Sequence, residues 1–252
     1  MSDKFRLIEI EKTPSTNDEA AALATAAGDR APFVVITDNQ TAGRGQRGNK
    51  WESAPGKNLT FSLVLFPDWM SASRQFELSM LVSIGIVNAL RKYVDEPEWL
   101  KIKWPNDIYF GDRKLVGILI ENTVSSGSIA RSIIGIGINV NQSVFESDAP
   151  NPISLVHVTG FELDRKKLLG SVVENILEMV DAYADDPEID ELTALYNRLL
   201  WRNDGREHVW QRPDGSRFKA RIVNVEADGR LVLKPEDADP ESFLFKEVAA
   251  VL

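Results

Sequence analysis

Apolar positions follow two different spacings along the first hundred residues. FRLIEIEK at 5–12 alternates apolar and polar residues, which is typical of a strand with one buried face. The segment FVVITDNQ at 33–40 is expected to be a short buried strand that leads into a glycine-rich stretch. The segment 58–66 is apolar on both faces, which suits a central strand. Helical spacing predicts a helix over 15–28, capped at Ser15 or Thr16 and closed by Gly28, and another over 74–94.

A hairpin is predicted next. LKIKWPNDIYF at 100–110 and RKLVGILIEN at 113–122 flank the turn dipeptide Gly111-Asp112, and ARSIIGIGINVN at 130–141 reads as a further strand. Two helices, 164–184 and 187–201, are expected to follow.

The pattern changes near residue 203, where short apolar segments alternate with turn residues such as Pro213-Asp214-Gly215 and Asp228-Gly229. Meandering strands of this kind suggest a small SH3-like barrel. We therefore predict an α/β (α+β) domain over residues 1–202, built on a central mixed sheet, and a small β domain over residues 203–252.

The segment TAGRGQRGNKW, residues 41–51, combines three glycines with two arginines. Glycines let a ligand approach the main chain closely, and Arg44 and Arg47 are suited to bidentate bonds with phosphate oxygens. The alternative is a surface hairpin with solvated arginines. The segment is neither a P-loop nor a dinucleotide fingerprint, because it leads towards a strand and not into a helix.

The predicted hairpin brings an acid and a lysine together. A two-residue turn at Gly111-Asp112 pairs Tyr109 with Lys114 and Asp107 with Val116, so Asp107 and Lys114 are diagonal neighbours on one face. Such a lysine is held in place and kept charged. An exposed ion pair of little energetic value is the alternative.

The strand IIGIGINVN has two unlike faces. Ile134, Ile136, Ile138 and Val140 form an apolar face, and Gly135, Gly137, Asn139 and Asn141 form the other. Interior strand glycines often mark the close approach of a ligand, although packing against another element explains them equally well.

Composition narrows the class of protein. The net charge of −9 argues against a nucleic-acid-coating surface, and the absence of cysteine excludes disulfides and thiol chemistry. No signal segment or membrane-spanning apolar run is evident, which predicts a soluble cytoplasmic protein. No Ser/His/Asp triad or paired-histidine metal site is recognisable.

Together, GRGQRG followed by KW, then KWPND with the lysine of GDRKLVGILIE, then GIGIN, resemble the biotin protein ligases in order and spacing. The resemblance covers residues 7 to about 141 and continues less specifically into the C-terminal region. It implies an α/β catalytic domain related to lipoyl ligases and class II aminoacyl-tRNA synthetases.

The resemblance implies a two-step reaction. The carboxylate of biotin attacks the α-phosphate of ATP to give biotinyl-5′-AMP and pyrophosphate, and a lysine of a biotin carboxyl carrier domain then takes the biotinyl group. ATP and Mg²⁺ are the implied cofactors, with Mg²⁺ held through the ATP phosphates near Asp107 and Asn139 and no direct protein metal site.

Roles carried over from the family rest on its motifs. Lys114, Arg44 and Asp107 are expected to be catalytic. The residues expected to bind biotin are Ser15, Thr16, Asn17, Gln40, Gly43, Arg44, Lys114 and Gly117. Those expected to bind ATP are Arg44, Gln46, Arg47, Trp51, Asn106, Asp107, Lys114 and Asn139.

Two departures from the family pattern carry expectations of their own. Gln46 replaces the second arginine of the usual Gly-Arg-Gly-Arg loop, so we expect weaker retention of the adenylate. The first catalytic strand begins near Phe5, which leaves no room for a winged-helix domain, and with the acidic charge predicts no DNA binding or repressor function.

Alternatives stay open at the level of sequence. A lipoate or octanoate ligase shares the fold, a non-catalytic biotin- or nucleotide-binding regulator is a second rival, and a scaffold that uses its glycines only for turns is a third. A side-by-side homodimer formed at an exposed sheet edge and a monomer are equally compatible with the sequence. The acceptor carboxylase subunit is not identifiable.

Overall fold

The computed structural model describes residues 4–26, 30–46, 49–147 and 149–252. The first region contains β1 (Arg6–Thr13), α1 (Thr16–Ala26), β2 (Phe33–Gln40), β3 (Leu59–Leu65), α2 (Gln75–Leu90), β4 (Leu100–Lys103), β5 (Asp107–Phe110), β6 (Arg113–Ser125), β7 (Ser128–Ile138), α3 (Leu155–Thr159), α4 (Arg165–Asp185) and α5 (Ile189–Leu199). The second contains β8 (His208–Gln211), β9 (Arg217–Val225), β10 (Leu231–Lys234), β11 (Glu241–Phe243) and β12 (Ala249–Ala250).

A seven-stranded sheet in the order β1-β2-β3-β7-β6-β5-β4 organises the first region. β1 and β2 are parallel because α1 carries the chain back between them, and the other pairs are antiparallel. The predicted central mixed sheet is therefore confirmed. β1 and β4 are its edges, and pairing of a second copy along an edge stays a prediction.

The two faces of this sheet are covered differently. Leu59, Phe61 and Leu63 of β3 belong to the large core that includes α2 and α4, whereas Val64 packs with Ala20 of α1 on the opposite face. Helix α2 is apolar on most of its surface because it lies between the sheet and α4. The predicted end at residue 94 is corrected: α2 stops at Leu90, and a 3-10 turn continues to residue 93. The predicted α1 cap at Gly28 lies outside the described residues.

The KWPND segment corrects the sequence prediction in two ways. The single strand expected over 100–110 is two strands, β4 and β5, because the chain turns back at Trp104–Asn106, where the Trp104–Pro105 peptide is cis. Tyr109 pairs with Lys114 as expected. A register shift between Ile108 and Tyr109 then places Asp107 opposite Gly117 and not opposite Val116.

The C-terminal strands form a separate antiparallel sheet in the order β11-β10-β9-β8-β12, which confirms an all-β region. The stretch FLFKEVAAVL, expected as one segment, divides between β11 and β12. That residues 203–252 are a domain of their own stays a prediction. Among the described residues, no helix has the length and apolar character needed to cross a bilayer.

Hydrogen bonds from Asn197 and Trp104 help to hold the small sheet against the first region. The Asn197 amide of α5 donates to Val225 O at 3.0 Å and accepts from Val225 N at 2.6 Å. Trp104 Nε1 donates to Gly229 O at 2.9 Å. Because each contact ends on the backbone of β9 or of the turn after it, the small sheet sits directly beside the KWPND turn.

Candidate active site

One row of paired residues crosses the first sheet and sets the floor of the site. Lys103 pairs with Asp107, Asp107 with Gly117, Gly117 with Gly137, and Gly137 with Thr60. Directly paired residues share a face, and neighbouring strands are roughly 4.8 Å apart. The row therefore runs from a lysine, through a carboxylate, to two glycines that leave a trough in the sheet.

The Trp51 indole lies in this trough. A Cβ added to Gly117 would meet Trp51 Cζ3 at 2.8 Å, and one added to Gly137 would meet the indole more closely still. Side chains at either position would thus exclude the ring. The sequence left two explanations for the glycine face, the close approach of a ligand and packing against another part of the protein. In this structure the group that approaches the glycines is the Trp51 side chain.

The N-terminus of α1 closes one end of the trough. Thr16 N donates to Gln40 Oε1 at 2.9 Å, and Ser62 Oγ lies 2.8 Å from Thr16 Oγ1 and 2.6 Å from Asn17 Oδ1. Asn17 also packs on Gly135, where an added Cβ would lie 2.5 Å from Asn17 Oδ1. Ser15, Thr16 and Asn17 are all buried. The structure thus gathers four predicted residues, including Gln40, into one polar cluster.

Two members of that cluster were not predicted. Ser62 is fully buried on β3, and Glu121 Oε2 accepts from Asn17 Nδ2 at 2.5 Å. A signal for Ser62 is present in the sequence, because Thr60 and Ser62 are alternate polar positions in an otherwise apolar strand. Glu121 carries no comparable local signal, since its position follows from the pairing of β6 with β7.

The glycine-rich segment is a small hairpin above the trough. Trp51 N donates to Gly43 O at 2.9 Å, and Gly45 N donates to Asn49 O at 2.7 Å. A Cβ on Gly43 would lie 2.7 Å from Trp51 O, so a glycine is required where the hairpin begins. Two residues of this segment, Arg47 and Gly48, lie outside the described residues.

Arg44 points back to α1 in this structure. Its Nη2 atom lies 2.6 Å from Asp18 Oδ1 and 3.9 Å from Glu121 Oε2, and its side chain is 47% exposed. The arginine therefore lines the trough and is paired with two acids in this structure, and its expected role in binding phosphate stays a prediction.

Lys114 and Asp107 form the predicted pair. Lys114 Nζ lies 2.7 Å from Asp107 Oδ1, with the two side chains 33% and 14% exposed. The contact is an ion pair without hydrogen-bond alignment at Asp107 Oδ1. Lys114 Nζ also lies 5.8 Å from the centroid of the Trp51 ring. This burial distinguishes the pair from the exposed surface ion pair that the sequence left open.

The backbone on both sides of the pair is fixed. Lys114 N donates to Asn151 O at 2.8 Å, and Lys114 O accepts from Ile153 N at 3.0 Å. Asn106 Nδ2 donates to Ile118 O at 2.6 Å, which joins the KWPND turn to β6. The lysine and the turn that carries Asp107 are thereby held in register.

Asn139 is buried beneath the loop that anchors Lys114. It is 2% exposed, and its Nδ2 donates to Ile153 O at 3.1 Å. Its Oδ1 atom makes no hydrogen bond among the described residues, and its expected role in binding ATP stays a prediction. The burial of Asn139 has a local cause: β7 ends at Ile138, so the alternation that placed Asn139 on the glycine face stops one residue earlier.

Two cavities meet at the ion pair. The first, of about 60 Å³, lies under the Trp51 ring and reaches the Thr16 cluster and Arg44. The second, of about 290 Å³, lies between the two sheets and is lined by Trp104, Trp201 and Trp210. The wall shared by both is formed by Gly45, Gln46, Trp51, Asn106, Asp107 and Lys114.

Lys103 lines the larger cavity and was not among the predicted residues. Burial lowers the pKa of its ammonium group, and the nearby charges of Lys114 and Arg202 lower it further against the opposing effect of Asp107. The sequence signal was available in LKIK, where Lys101 and Lys103 alternate with buried Leu100 and Ile102.

The Mg²⁺ that the resemblance implies has one candidate carboxylate ligand on the walls of the two cavities, and how the ion is held stays a prediction. Among the described residues, no group of three or more His, Cys, Asp or Glu side chains is placed to hold a metal ion. Asp107 is the carboxylate that lines the two cavities, and one or two carboxylates together with substrate phosphates are the usual Mg²⁺ ligands.

The comparisons with known proteins agree with this geometry. The family model described as "Biotin/lipoate A/B protein ligase family" matches residues 9–139, which is more than half of the chain and includes every strand of the row. The chain belongs to this family. The match ends at Asn139 and therefore does not cover the small sheet.

Named relatives extend the similarity. The chain is 30% identical over 241 residues to the bifunctional ligase/repressor BirA of Bacillus spizizenii, covering 92% of this chain and 70% of the relative. It is 33% identical over 164 residues to a biotin–[acetyl-CoA-carboxylase] ligase of Paracoccus denitrificans, covering 64% and 67%. A biotin protein ligase from Aquifex aeolicus in complex with biotin and ATP superposes with a TM-score of 0.80 at 26% identity over 98% of both chains.

Proposed function

We propose that this chain is a biotin protein ligase. It activates biotin with ATP as biotinyl-5′-AMP and transfers the biotinyl group to a lysine of a biotin carboxyl carrier domain of the acetyl-CoA carboxylase type. The single observation that carries the proposal is the position of Lys114, whose ammonium group lies in the wall between the two cavities. Family membership and the named relatives support the choice of substrates.

Adenylate formation has to bring a carboxylate up to a triphosphate. Two like charges at 4 Å repel by roughly 4 kcal/mol at an effective dielectric constant of 20. Lys114, held beside Asp107, supplies a cation at the point where the two anions meet, and Arg44 supplies a second when it leaves Asp18. Cations fixed before the reaction are the strongest contribution a protein makes to such a step.

Biotin occupies the trough side of the wall. Its ring system needs an apolar slot with a few hydrogen-bonding groups, and the Thr16 cluster with Gln40 and Ser15 provides them beside Gly117 and Gly137. The present cavity of about 60 Å³ has room for only about four water-sized molecules, which is too little for a bicyclic ligand with a side chain. The hairpin that carries Trp51 therefore has to move outward for biotin to enter, and Gly43 and Gly45 lie where it bends.

ATP occupies the larger cavity. The aromatic rings of Trp51 and Trp104 flank one side, Asn106 and Gln46 line the wall, and the small sheet covers the opening. Arg47 is assigned to phosphate binding by its motif and lies outside the described residues. Bound Mg²⁺ would neutralise phosphate charge, and Asp107, a carboxylate that lines both cavities, would help to hold it. We assign residues 1–202 to catalysis and residues 203–252 to covering the nucleotide.

The second step uses the same wall. The amine of the carrier lysine attacks the acyl carbon, the bond from that carbon to the phosphate oxygen breaks, and AMP leaves with the electron pair. Lys114 stabilises the negative charge on the phosphate of the departing AMP, as it stabilised the charge on the α-phosphate in the first step. The amine gives up one proton in forming the amide.

The test is a reconstitution. Purified protein is incubated with biotin, MgATP and a carrier domain, and mass spectrometry looks for a biotinyl adduct on the acceptor lysine. A parallel assay measures ATP–pyrophosphate exchange with biotin or lipoate added. Exchange and an adduct with biotin support the proposal. Exchange that depends on lipoate alone would assign the chain to the lipoyl branch of its family, and exchange with neither acid would contradict ligase activity.

A further inference from the structure

Lys103 carries a positive charge that the protein does not neutralise by contact. Among the described residues, its ammonium makes neither an ion pair nor a hydrogen bond, because the carboxylate of Asp107 is taken by Lys114. Its Nζ instead lies 5.3 Å from the centroid of the Tyr109 ring. A partly buried cation without a counter-charge is costly to keep, and a bound anion removes that cost.

The cavity that Lys103 lines has the charge of an anion site. Three lysines, Lys50, Lys103 and Lys114, line it with a single carboxylate, Asp107. Since Lys114 and Asp107 neutralise one another, the remaining charge is positive and is carried by Lys50, beside Trp51 on the hairpin, and by Lys103 at the other end of the row. The small sheet contributes apolar groups opposite, including Ile222 and Val248, which restrict water and strengthen the field of the lysines.

The order of residues along the row from Lys103 to Gly137 indicates which part of ATP lies near the positive charge of Lys103. Biotin is assigned to the glycine end, under Trp51, and Lys114 and Asp107 stand at the middle. Lys103 stands one strand beyond Asp107, at the opposite end. In phosphoryl and adenylyl transfer, the attacking and leaving oxygens lie roughly in line on opposite sides of the phosphorus.

We propose that Lys103 is a further catalytic residue, which contacts the pyrophosphate portion of ATP and stabilises its departure. A carboxylate oxygen of biotin forms the new bond to the α-phosphorus. The bond from that phosphorus to the bridging oxygen breaks, and the electron pair goes to pyrophosphate. The negative charge that develops there faces Lys103. The inference rests on the proposed ligase function and assigns a residue to its leaving group.

This role acts on one step of the reaction. Pyrophosphate is gone once biotinyl-5′-AMP has formed, so removing the Lys103 charge affects adenylate formation and its reversal, and not transfer to the carrier. If Lys103 instead accepted a proton from the carrier amine, its removal would slow transfer to the carrier and leave adenylate formation unchanged. A lysine that served only folding would affect both steps together with the Tm.

The experiment separates the two half-reactions in Lys103→Met, Lys103→Arg and the control Lys101→Met, which removes a lysine two residues away on the same strand. We expect Lys103→Met to slow single-turnover adenylate formation, and to raise the KM for pyrophosphate in the reverse reaction, by about tenfold or more. Transfer from purified biotinyl-5′-AMP to a carrier domain is expected to stay within about twofold, which also shows that the variant is folded. Lys103→Arg should retain most adenylate formation, and Lys101→Met should behave as wild type.

Two results overturn the inference. The first is an equal rate of adenylate formation in wild type and Lys103→Met. The second is a transfer step that slows as much as adenylate formation. Wild-type protein that forms no adenylate at all would instead overturn the proposed function. A binding measurement with pyrophosphate alone gives a readout that needs no turnover, and weaker binding to Lys103→Met than to Lys101→Met is expected.

Discussion

The Trp51 indole rests directly on Gly137, on the strand that pairs with the hairpin strand carrying Lys114. A methyl group at Gly137 would overlap the ring, so Gly137→Ala is expected to push Trp51 out of the trough and occupy part of the biotin slot. We expect the KM for biotin to rise about tenfold, with a smaller change in that for ATP.

A matched control exists for this substitution. Gly170 lies within α4, where an added Cβ meets nothing within 4 Å, so Gly170→Ala should leave the kinetics unchanged and slightly raise the Tm. Steady-state kinetics with each variant checks the prediction. An unchanged KM for biotin in Gly137→Ala would show that the trough is not the biotin slot.

Gln46 is expected to control how long the adenylate stays bound. Its Oε1 atom is buried without a hydrogen-bond partner in the described structure, at the wall between the two cavities. Gln46→Arg adds a charged donor facing the phosphate, and we expect residence of the adenylate to lengthen about tenfold, the equivalent of about 1.4 kcal/mol.

Release of radiolabelled adenylate from the purified complex measures this residence time. Gln46→Met, which has no donor and no charge, serves as the control and should not lengthen it. A shorter or unchanged residence in Gln46→Arg would mean that Gln46 does not face the phosphate.

Glu52 fixes the hairpin at its C-terminal end and predicts a pH dependence of stability. Burial raises the pKa of this carboxyl, but hydrogen bonds from Ser147, Glu146 and Gln142 outweigh burial and lower it below the ordinary value of 4.5. A carboxylate with a lowered pKa in the folded state stabilises the protein above its unfolded-state pKa. That stabilisation is lost as the pH falls through the folded-state value.

We therefore expect Glu52→Gln to lower the Tm at pH 7 by about 2–4 °C, which corresponds to about 1 kcal/mol in a chain of this size. The difference from wild type should shrink as the pH falls below 4.5. The exposed Glu98 provides the control, and Glu98→Gln should track wild type throughout. A Tm difference that is constant with pH would show that the charge of Glu52 does not stabilise its contacts with Glu146 and Ser147.

The strands were predictable from sequence where burial alone determines the pattern. The mostly apolar sequence of β3 and the alternation of β1 depend only on which faces are buried. Gly111 at the hairpin turn set the first two residue pairs of β5 and β6. The pairing of Asp107 was missed because β6 is apolar almost throughout residues 115–120, so it has no apolar–polar alternation in which a one-residue register shift would be visible.

The contact between Lys114 and Asp107 was predictable from the sequence, whereas the packing of Trp51 on the sheet was not. Lys114, Asp107 and Arg44 were recognised through motifs, and the structure brings the first two into contact. The position of Trp51 over Gly117 and Gly137 depends on a contact between distant segments, which no local pattern encodes. The burial of Asn139 was not foreseen because the alternation of β7 was extended past the end of the strand at Ile138.

The most direct test of the account is biotin-dependent ATP–pyrophosphate exchange in Lys114→Met, compared with wild type and with Lys12→Met at the edge of the sheet. Because we propose that Lys114 lies where the carboxylate and the phosphate meet, we expect turnover to fall by about 100-fold or more, while biotin affinity, measured by calorimetry, changes far less. Lys12→Met should match wild type. Exchange by Lys114→Met at close to the wild-type rate would contradict the central claim that this ammonium group joins the two substrates.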